Sequence, residues 1–140
     1  MIERTESGLY CRAADAWVDP WKPVSRALIT HAHADHARPG CGEYWAVNSS
    51  EGVLRQRLGQ SINLHPVRYG KEFWLGQCKV SFHSAGHVLG SAQIRLESDG
   101  NVWVVSGDYK RDHDPSCAPF ETVGCDVLIT EATFGMPIYR

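Results

Sequence analysis

The chain has 140 residues, of which 43% are hydrophobic and 21% charged, and its formal net charge is −2. This length fits one domain with a substantial core, and the charge argues against a uniformly basic surface for non-specific DNA binding, although a local basic groove remains compatible with it. There is no apolar run of about 18 residues that would predict a transmembrane helix. The polar start, residues 1–6, lacks the apolar core of a secretory signal, so we expect a cytoplasmic protein with no membrane contact.

The cysteines are odd in number, and no Cys-x-x-Cys pair occurs. This pattern disfavours both a disulfide framework and an all-cysteine zinc site. Since no export signal is present, we expect reduced thiols, each acting as a small buried or half-buried hydrophobic residue. The five positions are Cys11, Cys41, Cys78, Cys117 and Cys125.

Short apolar segments in the first third of the chain predict strands, because proline and glycine interrupt them regularly. Asp19 closes one such segment, just before a turn. Two interpretations of it are equally good: a turn-starting aspartate, or a carboxylate that orients a metal-bound imidazole. The predicted strands are Gly8–Cys11, Ala16–Asp19, Val24–Thr30 and Tyr44–Val47.

One helix is predicted over residues 51–58, with Ser49 or Ser50 as its N-cap and Gly59 as its C-terminal stop. Its arginines are expected to face water, and no chemistry is assigned to them. The side chains expected to share the apolar face are Val53, Leu54 and Leu58.

The second half of the chain predicts further strands, since several segments alternate between apolar and polar residues. Asp99-Gly100 predicts a tight hairpin turn between two of them. Val102–Val105 is almost entirely apolar and is expected to be buried on both faces, and Val127–Thr130 is predicted as a last buried strand. The other predicted strands are Ile62–Tyr69, Lys71–Leu75, Lys79–His83 and Ala92–Glu97.

The segment Thr30–His36 places three histidines and one aspartate directly after an apolar strand. On an extended segment, residues i and i+2 point the same way, so His31 and His33 can meet one metal ion. Asp35 and His36 are adjacent and can turn toward a second ion beside the first. A single histidine is usually not a ligand, but the order His-x-His-x-Asp-His at a strand end predicts a metal site.

Other apolar strands also end in residues of the ligand type. Asp108 and Glu131 each follow such a strand, and His87 lies in a glycine-flanked loop between two strands. Because sites in layered α/β folds lie at strand ends, His87 and Asp108 are predicted to complete the metal site. The remaining histidines are expected to be packed or solvent-facing, and these are His65, His83 and His113.

The order of these motifs, from the cluster at residues 31–36 through His87 to Asp108, resembles the metallo-β-lactamase superfamily. The surroundings of His87, Asp108 and Glu131 are similar to the β-CASP branch, whose members are nucleases acting on RNA or DNA. The segments that carry this likeness are Ser84–Ala92, Ser106–Tyr109 and Thr130–Gly135. A narrower resemblance, to bacterial ligase-associated DNA exonucleases or mRNA 3′-end processing factor-like proteins, rests on Gly8–Cys11, Asp19–Val24, His36–Gly40 and Cys117–Glu121.

The resemblance implies two divalent metal ions. Nitrogen-rich ligation favours zinc, while mixed histidine and carboxylate ligation also admits manganese. Asp19 matches the family's early aspartate, and Glu131 would orient a ligand or help proton transfer; Asp35 and Asp108 are also expected to serve catalysis. The implied ligands are His31, His33 and His87 for one ion, Asp35 and His36 for the second, and Asp108 bridging both.

The resemblance further implies an α/β fold, the N-terminal half of an αββα sandwich with a mixed or antiparallel sheet and flanking helices. Residues 1–140 would be the N-terminal part of the metallo-β-lactamase domain, without the β-CASP cap or the C-terminal return that supplies a last histidine to the second metal site. One face or edge of the sheet would then be uncovered.

The expected activity is that of a metal-dependent phosphodiesterase, a DNA-repair type exonuclease acting through a metal-activated hydroxide. The expected partners are a nucleic acid substrate, DNA rather than RNA, and by resemblance a DNA ligase or helicase. The open alternatives are an RNA-processing β-CASP nuclease, a thioesterase or lactonase on the same scaffold, and an inactive binding module. Because the second metal site is expected to be incomplete, an inactive isolated chain is also compatible with the resemblance.

Overall fold

The computed structural model describes residues 1–132, in which eleven strands form two β-sheets beside a single α-helix. The first sheet is built from the N-terminal half and the second from the remainder. The strands are β1 Ile2–Thr5, β2 Gly8–Cys11, β3 Ala16–Val18, β4 Arg26–Leu28, β5 Glu43–Val47, β6 Leu64–Val67, β7 Phe73–Leu75, β8 Cys78–Ser84, β9 Ala92–Ser98, β10 Asn101–Val105 and β11 Val127–Ile129, and the helix is α1 Glu51–Leu58. The sequence resemblance in Thr133–Gly135 lies outside the described residues.

Both sheets mix parallel and antiparallel pairing, as predicted. The first has the order β1-β2-β3-β4-β5-β6, antiparallel through β3 and parallel from β3 to β6. The second has the order β11-β10-β9-β8-β7, antiparallel except for the parallel pair β10 and β11. Parallel neighbours end at the same sheet edge, so β3 and β4 deliver their following residues together, and so do β10 and β11.

The main core lies between the two sheets, because strands of both contribute to one buried apolar cluster. Leu28 of β4 lies in it with Phe82 and Ile94 of the second sheet, and all three are fully buried. The other face of the first sheet is covered by α1, whose Leu54 is buried against Tyr44 and its neighbours. This gives the layered arrangement that the sequence predicted, but with one α-helix among residues 1–132 rather than several.

The predicted helix, its C-terminal end and the hairpin turn are confirmed, but the predicted side-chain N-cap is not. The amide of Gly59 donates a hydrogen bond to the Arg55 carbonyl, which ends α1 where expected. Asp99 and Gly100 both have positive φ, 51° and 75°, as a type I′ turn requires. Neither candidate serine caps the helix through its side chain; the Ser50 hydroxyl donates instead to the Val47 carbonyl.

Four burial predictions are wrong, for reasons that neighbouring elements explain. Val53 is 41% exposed because α1 buries a narrow stripe centred on Leu54. Leu128 is 54% exposed because β11 ends the second sheet and has a strand on only one side among the described residues. The first residues of β10 are exposed or half-buried rather than buried on both faces. All five cysteines are free thiols, but Cys125 is exposed, since it lies in the loop before β11.

No helix among residues 1–132 is long and apolar enough to cross a lipid bilayer.

Candidate metal centre

The histidine cluster begins where the first sheet is tied to the second. After β4 the backbone carbonyl of Thr30 accepts a hydrogen bond of 2.7 Å from the amide of Ala92, the first residue of β9. This bond fixes the end of β4 against the second sheet. His31 follows at once and is 1% exposed, so its imidazole is held inside the structure rather than in a mobile loop. A rigid, buried support of this kind suits a ligand that must keep its geometry.

Four of the predicted site residues converge on one point. Each of them offers a ligand atom, and these atoms all lie within 4.8 Å of one another. The Nε2 atoms of His31 and His87 lie 3.7 Å and 3.8 Å from Oδ2 of Asp108, and His31 Nε2 lies 3.1 Å from His33 Nδ1. The four residues, which we call the histidine–aspartate cluster, are His31, His33, His87 and Asp108.

A second group lies at the other oxygen of the Asp108 carboxylate. Nε2 of His36 is 3.5 Å from Oδ1 of Asp108 and also 3.5 Å from Oδ2 of Asp35. Thus the two oxygens of Asp108 face different imidazoles. The Asp35 side chain is 75% exposed, so it borders the site from the solvent side.

Asp19 contacts the ring nitrogen of His36 that faces away from Asp108. Its Oδ2 lies 2.7 Å from Nδ1 of His36 and accepts a 2.5 Å hydrogen bond from the Thr30 hydroxyl, while Oδ1 accepts the Thr30 amide at 2.8 Å. The carboxylate thus contacts the imidazole that the orienting interpretation names, and the backbone of Asp19 begins the turn after β3 with φ 43°. The contact with His36 and the position at the turn are compatible with each other, and the orienting role stays a prediction.

Thr30 is a functional residue that sequence reasoning missed. Its hydroxyl hydrogen is used toward Asp19, so its oxygen is left to accept from His31 Nδ1, 3.1 Å away. This geometry assigns the proton of neutral His31 to Nδ1 and turns the Nε2 lone pair toward His33 and Asp108. A threonine before a histidine gives no sequence signal for this role.

The pKa values of His31 and His36 are shifted in opposite directions. Burial, helped by the neighbouring imidazoles of His36 and His33, lowers the pKa of His31 to about 3, so this side chain is neutral in ordinary buffers. Burial also pulls the pKa of His36 down, but the hydrogen bond and charge of Asp19 and the nearby Asp108 outweigh it and raise that pKa above its usual value. The surroundings of His36 thus favour its protonated form, and those of His31 favour its neutral form.

The loop that carries His87 is packed tightly against the segment after Asp108. The Lys110 amide donates to the Ala85 carbonyl at 2.9 Å. Gly86 has φ +69°, and a Cβ there would lie 2.5 Å from the Lys110 carbonyl oxygen and 2.9 Å from the Phe120 amide nitrogen. Only glycine allows these two segments to approach so closely.

Replacing Gly86 by alanine is therefore expected to destabilise the fold by more than about 1–2 kcal/mol, since the left-handed backbone costs that much before the clash is added. Gly52→Ala is the matched control, because Gly52 lies in α1 with no atom near its Cβ position. That change should stabilise by about 0.5–1 kcal/mol. Urea unfolding measures both, and equal effects of the two changes would contradict the close packing of the His87 loop.

One atom of the site has no partner of its own. His87 Nε2 is buried and has no hydrogen-bond partner, a costly arrangement for a polar nitrogen. It points to the cluster formed with His31, His33 and Asp108. A cation held by this set of imidazole nitrogens and carboxylate oxygen would satisfy it, and the set has the chemistry of a divalent metal site.

A cavity of about 370 Å³ opens beside the second group. Glu131, which follows β11, lines it together with Asp108, so the two parallel strands bring their terminal acids to one place. The other acidic and imidazole groups in its wall are Asp19, Asp35 and His36.

The three histidines that were predicted to lie outside the site do so. His65 stacks on Trp45, His83 contacts Ser81 and Glu121, and His113 is exposed.

Asp19→Asn is expected to weaken metal binding by about 10–100-fold, the usual cost of losing a group that orients a metal-ligating histidine. The control is Asp15→Asn, since Asp15 also has positive φ, 48°, but bonds to the Tyr10 hydroxyl away from the cluster. Competition with a chelator at fixed pH measures both affinities. An unchanged affinity in the Asp19 variant would show that this carboxylate only closes the turn.

Known proteins resemble the chain in both sequence and fold, although no family model matches it. It is 33% identical over 134 residues to a protein named probable DNA ligase from Opitutus terrae, covering 94% of this chain and 13% of that protein. It is 28% identical over 144 residues to an RNase J-like protein from Methanocaldococcus jannaschii, covering 84% of this chain and 33% of that one. The chain thus spans between 13% and 33% of the length of these relatives.

Among solved structures, the Rm3 metallo-β-lactamase superposes with a TM-score of 0.55 and 18% identity, over 77% of this chain and 56% of that one. The likeness at this identity concerns the fold. Further sequence relatives carry the names ribonuclease TTHA0252, from Thermus thermophilus, and endoribonuclease YSH1, from Mycosarcoma maydis, each at 28% identity. The two sheets and these relatives together confirm the resemblance seen in the motifs: the chain belongs to the metallo-β-lactamase superfamily, in its β-CASP branch.

Proposed function

We propose that the chain forms the metal-binding part of a hydrolase that cleaves phosphodiester bonds in nucleic acid, acting on DNA as an exonuclease. The observation that carries the proposal is the position of the Asp108 carboxylate. One of its oxygens faces His31 and His87, and the other faces His36. A carboxylate whose two oxygens face different imidazoles would be able to serve two cations, one at each oxygen.

The six predicted ligands divide accordingly. The first ion would be held by the nitrogens of His31, His33 and His87, whose ligand atoms lie close enough together for one cation. The second would be held by His36 and Asp35, and Asp108 would serve both ions. Zinc suits the nitrogen-rich first set and manganese is compatible with the second. Two divalent ions in such a site lower the pKa of a water and neutralise charge that develops on a phosphate.

The protein's own groups prepare this chemistry. His31 is neutral because its pKa is about 3, so it offers its lone pair without losing a proton. Asp19 and Thr30 hold the rings of His36 and His31 in fixed orientations. Glu131 lines the cavity beside Asp108 and could receive or deliver a proton there. Asp35 borders the same cavity from its exposed side.

Support for DNA as the substrate comes from the relative named probable DNA ligase, whose match covers 94% of this chain. A DNA ligase, joined to the enzyme or bound to it, fits the same observation. The second candidate is RNA cleavage, favoured by the relatives named RNase J-like protein and endoribonuclease YSH1. Both candidates use the same residues, so the substrate assay has to separate them.

The test uses the purified chain with zinc or manganese and three kinds of substrate. The first is end-labelled single-stranded DNA and the second is RNA of the same sequence. The third kind comprises a thioester and a lactone, which are substrates of other hydrolases on this scaffold. The proposal predicts metal-dependent shortening of the DNA strand from one end, abolished by a chelator. Cleavage of RNA alone would favour the second candidate, and turnover of the thioester or lactone alone would contradict phosphodiester cleavage.

A further inference from the structure

An exposed tryptophan stands in the wall of the cavity beside the metal centre. Trp21 is 46% exposed, although it belongs to a residue type that is usually largely buried. A single exposed aromatic side chain carries no inference by itself. The location of Trp21 is what supports an inference, because Trp21 lines the same cavity of about 370 Å³ as Asp35, His36 and Asp108.

The tryptophan is held in place by contacts with Ser7 and Gly8, and it lies two residues after Asp19 in the chain. Its amide donates a 2.8 Å hydrogen bond to the Ser7 carbonyl, and its indole lies over Gly8, where a Cβ would already contact the ring. Two residues earlier in the chain, Asp19 contacts His36 at 2.7 Å. The position of the indole is therefore coupled through a short stretch of backbone to the imidazole of the second metal group.

A positive charge lies beside the indole. The guanidinium of Arg4, an exposed residue of β1, is 5.4 Å from the centre of the Trp21 ring, within the range of a cation–π contact. Nearly half of Trp21 remains accessible with Arg4 in this place. Trp21 thus brings a flat aromatic surface, with the Arg4 cation beside it, to a cavity whose wall also holds one imidazole, His36, and several carboxylates.

Single-stranded nucleic acid matches this combination. Its bases stack on aromatic side chains and its phosphates pair with arginine, and neither contact depends on a particular base. Because Trp21 lines the same cavity as Asp108 and His36, a nucleotide bound in that cavity can place its base near the indole. A base inside a duplex is stacked on its neighbours, so it must leave the stack before its face can contact an indole.

We propose that Trp21, with Arg4 beside it, is the base-binding subsite for the nucleotide next to the phosphate that is cleaved. The inference rests on the proposed phosphodiesterase function and adds a substrate-positioning residue to it. The subsite would recognise a base through its flat face, so it would accept all four bases. It would favour a single strand or a frayed end over an intact duplex.

The test compares two labelled strands of equal length, an oligothymidylate and a strand made only of abasic residues. In the parent chain, kcat/KM should be about tenfold higher for the strand with bases, since one stacked base contributes on this scale. In Trp21→Ala this ratio should fall to about one, and Trp21→Phe should keep most of it. Trp74→Ala is the matched control, because Trp74 is 69% exposed on β7 and does not line this cavity.

The base-to-abasic ratio separates a binding role from a structural one. If Trp21→Ala lowers kcat/KM equally for both strands, Trp21 is only structural and the inference is overturned. A variant that does not fold would be replaced by Trp21→Leu, which keeps an apolar side chain but no aromatic face, and the same ratio decides. Metal content of each variant, measured beside the parent, shows that the cluster is intact.

Failure of the proposed function gives a different result. A parent chain that holds about two metal equivalents, and so has both sites filled, but cleaves neither strand would overturn the phosphodiesterase proposal and this inference with it. A parent that cleaves both strands, with the same ratio in Trp21→Ala as in the parent, would overturn the subsite alone. Arg4→Ala adds an independent measurement, since losing one phosphate contact should reduce the salt dependence of binding by about 0.7 in the log–log slope.

Discussion

The double variant His31→Ala/His33→Ala is expected to lose its metal, where the parent chain holds about two equivalents. His31 Nε2 and His33 Nδ1 lie 3.1 Å apart, and both residues belong to the histidine–aspartate cluster. Without them only His87 and Asp108 of this cluster remain, and two ligands are too few to hold an ion. Nuclease activity should fall by more than about 100-fold, because losing a group that merely supports a ligand already costs about 10–100-fold. Mass spectrometry of the purified proteins gives the metal content directly.

His113→Ala is the control for this experiment, since His113 is exposed in a loop away from the cluster. Its metal content and activity should equal those of the parent. Metal retained by the double variant would contradict the assignment of His31 and His33 as ligands. A folded parent without metal would contradict the proposal that the residues of this chain bind the ions by themselves.

Phe82→Ala should lower the free energy of unfolding by about 3–5 kcal/mol, the usual cost of removing a buried phenylalanine ring. Phe82 lies on β8, is fully buried in the core between the two sheets, and stacks with Phe73 at 6.3 Å between ring centres. The truncation would leave a cavity that two sheets, each held by its own hydrogen bonds, can close only in part. Urea unfolding with an unchanged denaturant slope is the appropriate measurement.

The neighbouring strand offers a matched comparison for Phe82. Trp74 on β7 pairs with Lys79 of β8 and is 69% exposed, so Trp74→Ala should change the unfolding free energy by less than about 0.5 kcal/mol. A cost below about 1 kcal/mol for Phe82→Ala would contradict tight packing between the sheets. A large cost for Trp74→Ala would show that this face is covered in solution.

Features that depend on neighbours in the chain were predictable from the sequence. The turn at Asp99-Gly100 follows from residues that tolerate positive φ, and the end of α1 at Gly59 follows from the same property. The strands β2 and β8 were found through apolar patterning. The strand β1 was missed, because Ile2–Thr5 is mostly polar and becomes a strand through its pairing with β2.

Burial was less predictable, since it depends on what lies against a segment. Val127–Ile129 has the composition of an internal strand, yet Leu128 is largely exposed at the sheet edge. In the same way Val53 has the right residue type for the core but lies off the face of α1 that meets the first sheet. An apolar residue type indicates which side chains can be buried, and the packing of sheets and helix decides which of them are.

The sequence by itself determined the local part of the site: the spacing of His31, His33, Asp35 and His36 follows from six consecutive residues at a strand end. The sequence also named His87 and Asp108 as candidates, since each follows or adjoins a predicted strand. Only the tertiary structure decided that their ligand atoms lie within 4.8 Å of those of His31 and His33, because that requires the second sheet to lie against the end of β4. The tertiary structure also placed Thr30 beside Asp19 and His31, and Trp21 in the wall of the cavity. Residues that are distant in the chain come together because one sheet packs against the other, and a local sequence pattern does not specify this packing.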